Sequence, residues 1–275
     1  MIVSGPKLFG PIARRLICPD RWKDEYPAWP EYAKELDALL AFADERGRVA
    51  HFKPRLESKK AQRDEALDEL RVAYWLNHKG FPISQWEPPG LNGKIGEYLI
   101  RAKDQTNIFV EVKSPGWEGE LSDDERKAGR AQQPKYTGLE GGAVGNWIPV
   151  QKCIERAYPK FDPAQPNLLV VADDLHFGLY DCLDHVELAL YNTHKGYGMV
   201  GYFSSPAFAN LGGVGVFRTI IGDRGVEYQF RAFDNPFALP TARLPGSILK
   251  LQEEVTGIER GTYMGILTRS PENRG

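Results

Sequence analysis

The chain has 275 residues, enough for one large domain or two small ones. With 42% hydrophobic and 26% charged residues it has the balance of a soluble globular protein, which excludes a disordered, collagen-like or coiled-coil chain. The net charge of −2 excludes a uniformly basic surface, so any nucleic-acid contact must rest on a local patch.

Cys18, Cys153 and Cys182 lie far apart and no C-x-x-C occurs. Neither a disulfide framework nor a cysteine zinc site is expected, and a reducing, cytoplasmic setting fits. The first dozen residues are broken by Gly and Pro and carry no signal-peptide core. No apolar run reaches the length of a membrane span, so no membrane partner is expected.

Residues 1–28 read as irregular. Tyr32, Leu36, Leu39, Leu40 and Phe42 recur at helical spacing and predict a helix over Trp29–Glu45. A basic stretch follows, Arg46, Arg48, Lys53, Arg55, Lys59, Lys60 and Arg63, with Glu57 the only acid among them. It reads equally as a patch that tracks a phosphate backbone or as a solvated connection between helices. A stronger helix runs from Lys60 to His78, with Leu67, Leu70, Ala73, Tyr74 and Leu76 as its stripe and Gly80 as its stop.

The period then changes. Ile83–Glu87, Lys94–Arg101 and Asn107–Ser114 are rich in β-branched and aromatic residues and are separated by turn formers, which predicts three consecutive antiparallel strands. Residues 115–146 read as a surface excursion. Its bases Arg126, Lys127, Arg130 and Lys135, with Trp117 and Tyr136, are candidates for a DNA-contacting flap. The adjoining Asp123, Asp124 and Glu125 favour a solubilising insertion. Trp147–Lys160 reads as a helix, and Asn167–Ala172, an apolar run after its first residue, as a buried strand. Asp173, Asp174 and His176 after it mix metal-ligand types, but a turn accounts for them. Leu183–Tyr191 is a further helix, Val214–Ile221 and Val226–Phe233 form a hairpin, and Ser247–Val255 is a last short helix. The order helix, three strands, helix, strand over Lys60–Ala172 argues for an α/β fold on a mixed sheet. The chain divides into a helical or irregular extension (1–59), a core with an additional hairpin (60–240), and a C-terminal helix and tail (241–275).

The chemistry is concentrated in Asn107–Trp117. Alternation along a strand puts Ile108, Val110 and Val112 on one face and Phe109, Glu111 and Lys113 on the other. Upstream, Ile95, Glu97 and Leu99 share a face, and a turn at Ala102–Thr106 would set Glu97 beside Glu111. Two adjacent carboxylates repel, so a hard divalent cation is the natural compensation, with Lys113 adding positive charge. Glu69 on the preceding helix is a possible third carboxylate. Glu-x-Lys by itself is also what an ordinary ion pair on a solvated edge looks like.

Asp68-Glu-Leu-Arg-Val-Ala-Tyr-Trp-Leu-Asn-His-Lys-Gly80, Gly96-Glu97 and Phe109-Val-Glu-Val-Lys113, in that order, resemble the PD-(D/E)XK nuclease superfamily, to which many restriction endonucleases belong. Val150–Phe161 and Asn167–Val171 resemble its second helix and fourth strand. The resemblance covers roughly Lys60–Ala172 and implies a restriction-endonuclease-like core of helix, three antiparallel strands, helix and strand, here with extra C-terminal strands. It implies a Mg²⁺- or Mn²⁺-dependent endonuclease acting on DNA, and it allows a homo-oligomer. Glu111 matches the metal-binding acid, Lys113 the lysine, and Glu69 a helical glutamate near the metal. Glu97 stands where the family has an aspartate after a proline. Gln151 and Lys152 fall loosely where some members carry a polar residue on the second helix. Lys113, Glu111 and Glu97 are therefore the expected catalytic residues, with Glu97, Glu111 and Glu69 around the metal. The alternative is a nuclease-fold module that lacks catalysis and binds nucleic acid or a protein. A sugar hydrolase using Glu97 and Glu111 as acid and base is a third reading, against which Lys113 argues.

Overall fold

The computed structural model describes residues 9–18, 22, 30–58, 60–115, 148–172, 183–191, 200–222 and 225–252. Lys59, the bases of the 115–146 excursion, Asp173, Asp174, His176 and Cys182 lie outside them. The expected helix at the second position begins at Pro30 and ends at Glu45 (α2), burying Leu36, Leu39, Leu40 and Ala43 along one side. Before it, Pro11–Leu16 forms a short helix (α1) in a stretch expected to be irregular. Its first turn is capped from a distance: Asp37 of α2 accepts from the N–H groups of Ile12 at 3.3 Å and Ala13 at 2.8 Å.

The basic stretch also contains a helix, Val49–Leu56 (α3), which buries Phe52 and Leu56. It packs on Lys60–His78 (α4), whose Leu67, Leu70, Ala73 and Leu76 are buried. Gly80 ends α4 at a φ of +85°, a left-handed conformation natural to glycine. There Phe81 N–H donates to the Leu76 carbonyl and Gly80 N–H to that of Asn77.

A single six-stranded sheet follows: Ile83–Trp86 (β1), Tyr98–Arg101 (β2), Asn107–Lys113 (β3), Asn167–Ala172 (β4), Gly213–Gly222 (β5) and Gly225–Asp234 (β6), in that spatial order. β1, β2 and β3 are antiparallel neighbours, β3, β4 and β5 run parallel, and β6 returns antiparallel on β5. The fold is mixed α/β. The C-terminal hairpin is continuous with the sheet, because β5 pairs in parallel with β4. Every residue of β4 is buried, as a strand covered on both faces requires.

Ile148–Ala157 (α5) and Leu183–Tyr191 (α6) cover one face over Phe109, Leu169, Val171, Val214 and Val216. α2 and α4 cover the other over Ile108, Val110, Leu168 and Val170. Gly246–Leu249 (α7) packs Ile248 into that second layer. Among the described residues no helix is long and apolar enough to cross a membrane.

One buried polar chain crosses the α4 side. Arg71 donates to both oxygens of Glu35 at 3.0 and 2.9 Å, and the Tyr228 hydroxyl donates to Glu35 at 2.7 Å. Arg71 also reaches Asp68 at 3.4 Å, and Asp68 accepts from Ser114 Oγ at 2.6 Å. Buried charges are tolerated when paired in this way. The consequence is local: the residue after Lys113 is tied to the rigid core.

Candidate carboxylate and lysine site

The register of β2 on β3 pairs Tyr98 with Val110, which continues to Glu97 opposite Glu111. Directly opposed residues of antiparallel chains point to the same face. Glu97, Glu111 and Lys113 therefore meet on the α5 side of the sheet. Lys113 Nζ lies 2.5 Å from Glu111 Oε1 and 3.8 Å from Glu97 Oε1.

β2 itself begins later than expected, at Tyr98 rather than Lys94. Residues 94–97 instead fold against 87–90: Glu87 N–H donates to the Glu97 carbonyl, Gly96 N–H to that of Pro88, and Pro89 bridges Ile95. Gly96 accounts for the break. A β-carbon there would sit 2.2 Å from the ring of Phe109, which is wholly buried. A proline would also delete the N–H that holds Pro88. We expect Gly96→Ala to lower stability by about 1–3 kcal/mol through this overlap. Urea denaturation measures it, and Phe109→Leu added to Gly96→Ala should recover part of the loss.

Glu111 is fully buried, and its two oxygens differ. Oε1 accepts from Lys113 and, also at 2.5 Å, from Lys160. Oε2 is buried with no hydrogen-bond partner among the described residues. Burial, then the neighbouring Glu69 and Glu111 carboxylates, push the Glu97 carboxyl up to about 8, against the pull of Lys113 and Lys160. For Lys113, burial opposes the charge, but Glu111, Glu97 and Glu69 outweigh it and hold its pKa above the ordinary lysine value.

Glu69 reaches this region from α4, but its carboxylate is gripped at both oxygens by the Arg55 guanidinium, one contact being 2.5 Å. Arg55 is thus the counter-ion of Glu69. Arg46, Arg48, Lys53 and Arg63 are also engaged within the chain. Arg46 lies 3.8 Å above the Phe42 ring and reaches Asn77 at 3.3 Å. Arg48 pairs with Glu87 and lies over Trp86. Lys53 donates to the Leu16 carbonyl at 2.8 Å and pairs with Glu57 at 2.6 Å. Lys60 opens α4, and Arg63 is buried over the Trp22 ring. On α5, the Gln151 amide donates to the Ala189 carbonyl at 3.3 Å. Lys152 is half-buried, one turn before Arg156.

A cleft of about 160 Å³ opens at the end of β3, lined by Glu65, Glu69, Val112, Lys113, Ser114 and Arg156. Sequence reasoning missed Lys160, Ser114 and Arg156. Lys160 sits in the 3₁₀ turn Tyr158–Lys160 after α5, where nothing in the local pattern separates it from a surface lysine. Among the described residues no group of three or more His, Cys, Asp and Glu side chains forms a ready metal cage. Glu97 and Glu111 nevertheless fit a hard cation. One supplies an oxygen without a partner among the described residues, and the other is a carboxylate that burial, then Glu69 and Glu111, make costly to ionise. In comparisons with protein-family models, curated proteins and solved structures, nothing matches this chain.

Proposed function

We propose that the protein is a metal-dependent nuclease of the PD-(D/E)XK kind, hydrolysing phosphodiester bonds in DNA. The observation that carries this reading is Glu111 Oε2, buried and without a hydrogen-bond partner among the described residues, with Lys113 within reach of both carboxylates. Charge supports it as well. Three carboxylates, Glu69, Glu97 and Glu111, stand beside three bases, Arg55, Lys113 and Lys160. A divalent cation then leaves the site positive, which suits an anionic diester.

Glu97, Glu111 and the Val112 carbonyl would hold Mg²⁺ or Mn²⁺. When bound, the ion supplies a lowered pKa for water and charge neutralisation at the phosphate. In hydrolysis a P–O bond to water forms, the P–O ester bond breaks, and the leaving oxygen takes up a proton. Lys113, held charged by its acidic neighbours, donates a hydrogen bond to the nucleophile or to the charge that builds on phosphate. Ser114 is fixed by Asp68 and keeps the strand end in place. Arg156, at the rim of the cleft, offers a guanidinium to the diester.

Supercoiled plasmid and single- or double-stranded DNA and RNA oligonucleotides, incubated with Mg²⁺ or Mn²⁺, test the reading. Cutting or nicking that EDTA stops is the expected result. Absence of cleavage on every substrate, with nucleic acid or a protein still bound, would replace this reading with the non-catalytic module.

A further inference from the structure

Two amines share one oxygen of Glu111. Lys113 Nζ and Lys160 Nζ each lie 2.5 Å from Oε1, whereas Oε2 has neither. Both lysines are partly exposed, at 23% and 20%, while the carboxylate between them is fully buried. A buried carboxylate with no counter-ion is strongly destabilising, and two counter-ions on the same oxygen are more than neutrality requires.

The backbone that carries the second amine is firmly placed. The carbonyl of Lys160 packs against Gly90, where a β-carbon would come within 2.6 Å of it. Phe161 N–H closes the 3₁₀ turn onto the Tyr158 carbonyl at 3.1 Å, and the Phe161 side chain is fully buried against Phe109. Lys113, in contrast, lines the open cleft and also faces Glu97.

We propose that Lys160 is a positioning residue that acts through Glu111. It remains the standing counter-ion of Oε1, so Lys113 can leave that oxygen for a phosphodiester in the cleft without stranding a buried charge, and Oε2 stays turned away from both amines toward the cation position. The role assigned to Lys113 rests on the nuclease reading. The sharing of Oε1 does not.

The experiment is a double-mutant cycle on the full chain, free of added metal, with Lys113→Met, Lys160→Met and the double variant, read by thermal denaturation. Because either amine alone neutralises Oε1, each single variant should lower the midpoint by no more than about 4 °C, and the double variant by more than about 10 °C. Additive shifts would overturn the proposal, as would failure of Lys160→Met to fold when Lys113→Met folds. If the wild type cleaves nucleic acid, Lys160→Met should lower kcat at least about tenfold with KM for the nucleic acid unchanged, and Lys160→Arg should restore most of it. A structural lysine would give a stability loss without that split. If the wild type does not cleave, the nuclease reading fails while the cycle still decides whether the two amines share the oxygen.

Discussion

Glu111→Gln is expected to lower the rate of phosphodiester cleavage by about a thousandfold or more, and Lys113→Met by roughly a hundredfold. The two losses have different origins. The glutamine amide must put its single oxygen toward the Lys113 and Lys160 amines that hold Oε1 in the wild type. Its NH₂ then faces the position of Oε2, where it presents donors to a cation. Mn²⁺ binding by calorimetry should therefore be lost with the activity. Lys113→Met removes only the amine, so Mn²⁺ should still bind while single-turnover cleavage falls. Glu97→Asp keeps the charge with one methylene less. It should retain measurable cleavage, whereas Glu97→Gln should not. Glu111→Gln that cleaves at the wild-type rate would remove the carboxylate pair from the mechanism.

The sequence made the carboxylate pair legible because it depends on strand periodicity. Alternation along Asn107–Lys113 puts Glu111 and Lys113 on one face, and a short hairpin sets the register that carries Glu97 opposite Glu111. Helix α4 and strand β4 were legible for the same reason, as strong one-dimensional patterns. What escaped depends on residues distant in sequence. α1 forms where the local signal is weak because Asp37, some 25 positions on, caps its first turn. The start of β2 is set by the ring of Phe109 against Gly96.

The basic stretch shows the same limit. Composition counts its charges but does not reveal their partners. Arg55 finds Glu69 from a neighbouring helix, and Arg48 finds Glu87 at the end of β1. Lys160 escaped for the converse reason. It becomes part of the site only when the connection from α5 to β4 brings it 2.5 Å from Glu111.

Metal-free protein should lose stability as pH rises from the ordinary carboxyl range toward 8, and Glu97→Gln should remove most of that loss. The sign follows from linkage. In the unfolded chain Glu97 titrates at its ordinary value near 4.5, whereas in the folded chain burial, Glu69 and Glu111 hold it at about 8. Between those values the folded state keeps a proton that the unfolded state has released, so unfolding becomes easier as pH increases. Above about 8 both states are ionised and the cost levels off. At about 1.4 kcal/mol per unit of pKa difference the cost reaches a few kcal/mol, concentrated in this one cluster. Asp234, also raised by burial, slopes the same way, so the diagnostic quantity is the difference between wild type and Glu97→Gln. Urea titrations at pH 5 and pH 8 without metal should lie closer together for the variant than for the wild type. Saturating Mn²⁺ at pH 8 should restore the wild type, by about 2.7 kcal/mol at a hundred times the dissociation constant, and leave the variant nearly unmoved. An identical pH slope in both proteins would mean that Glu97 is ionised at no unusual cost, and the repulsion argued to call for a cation would be absent.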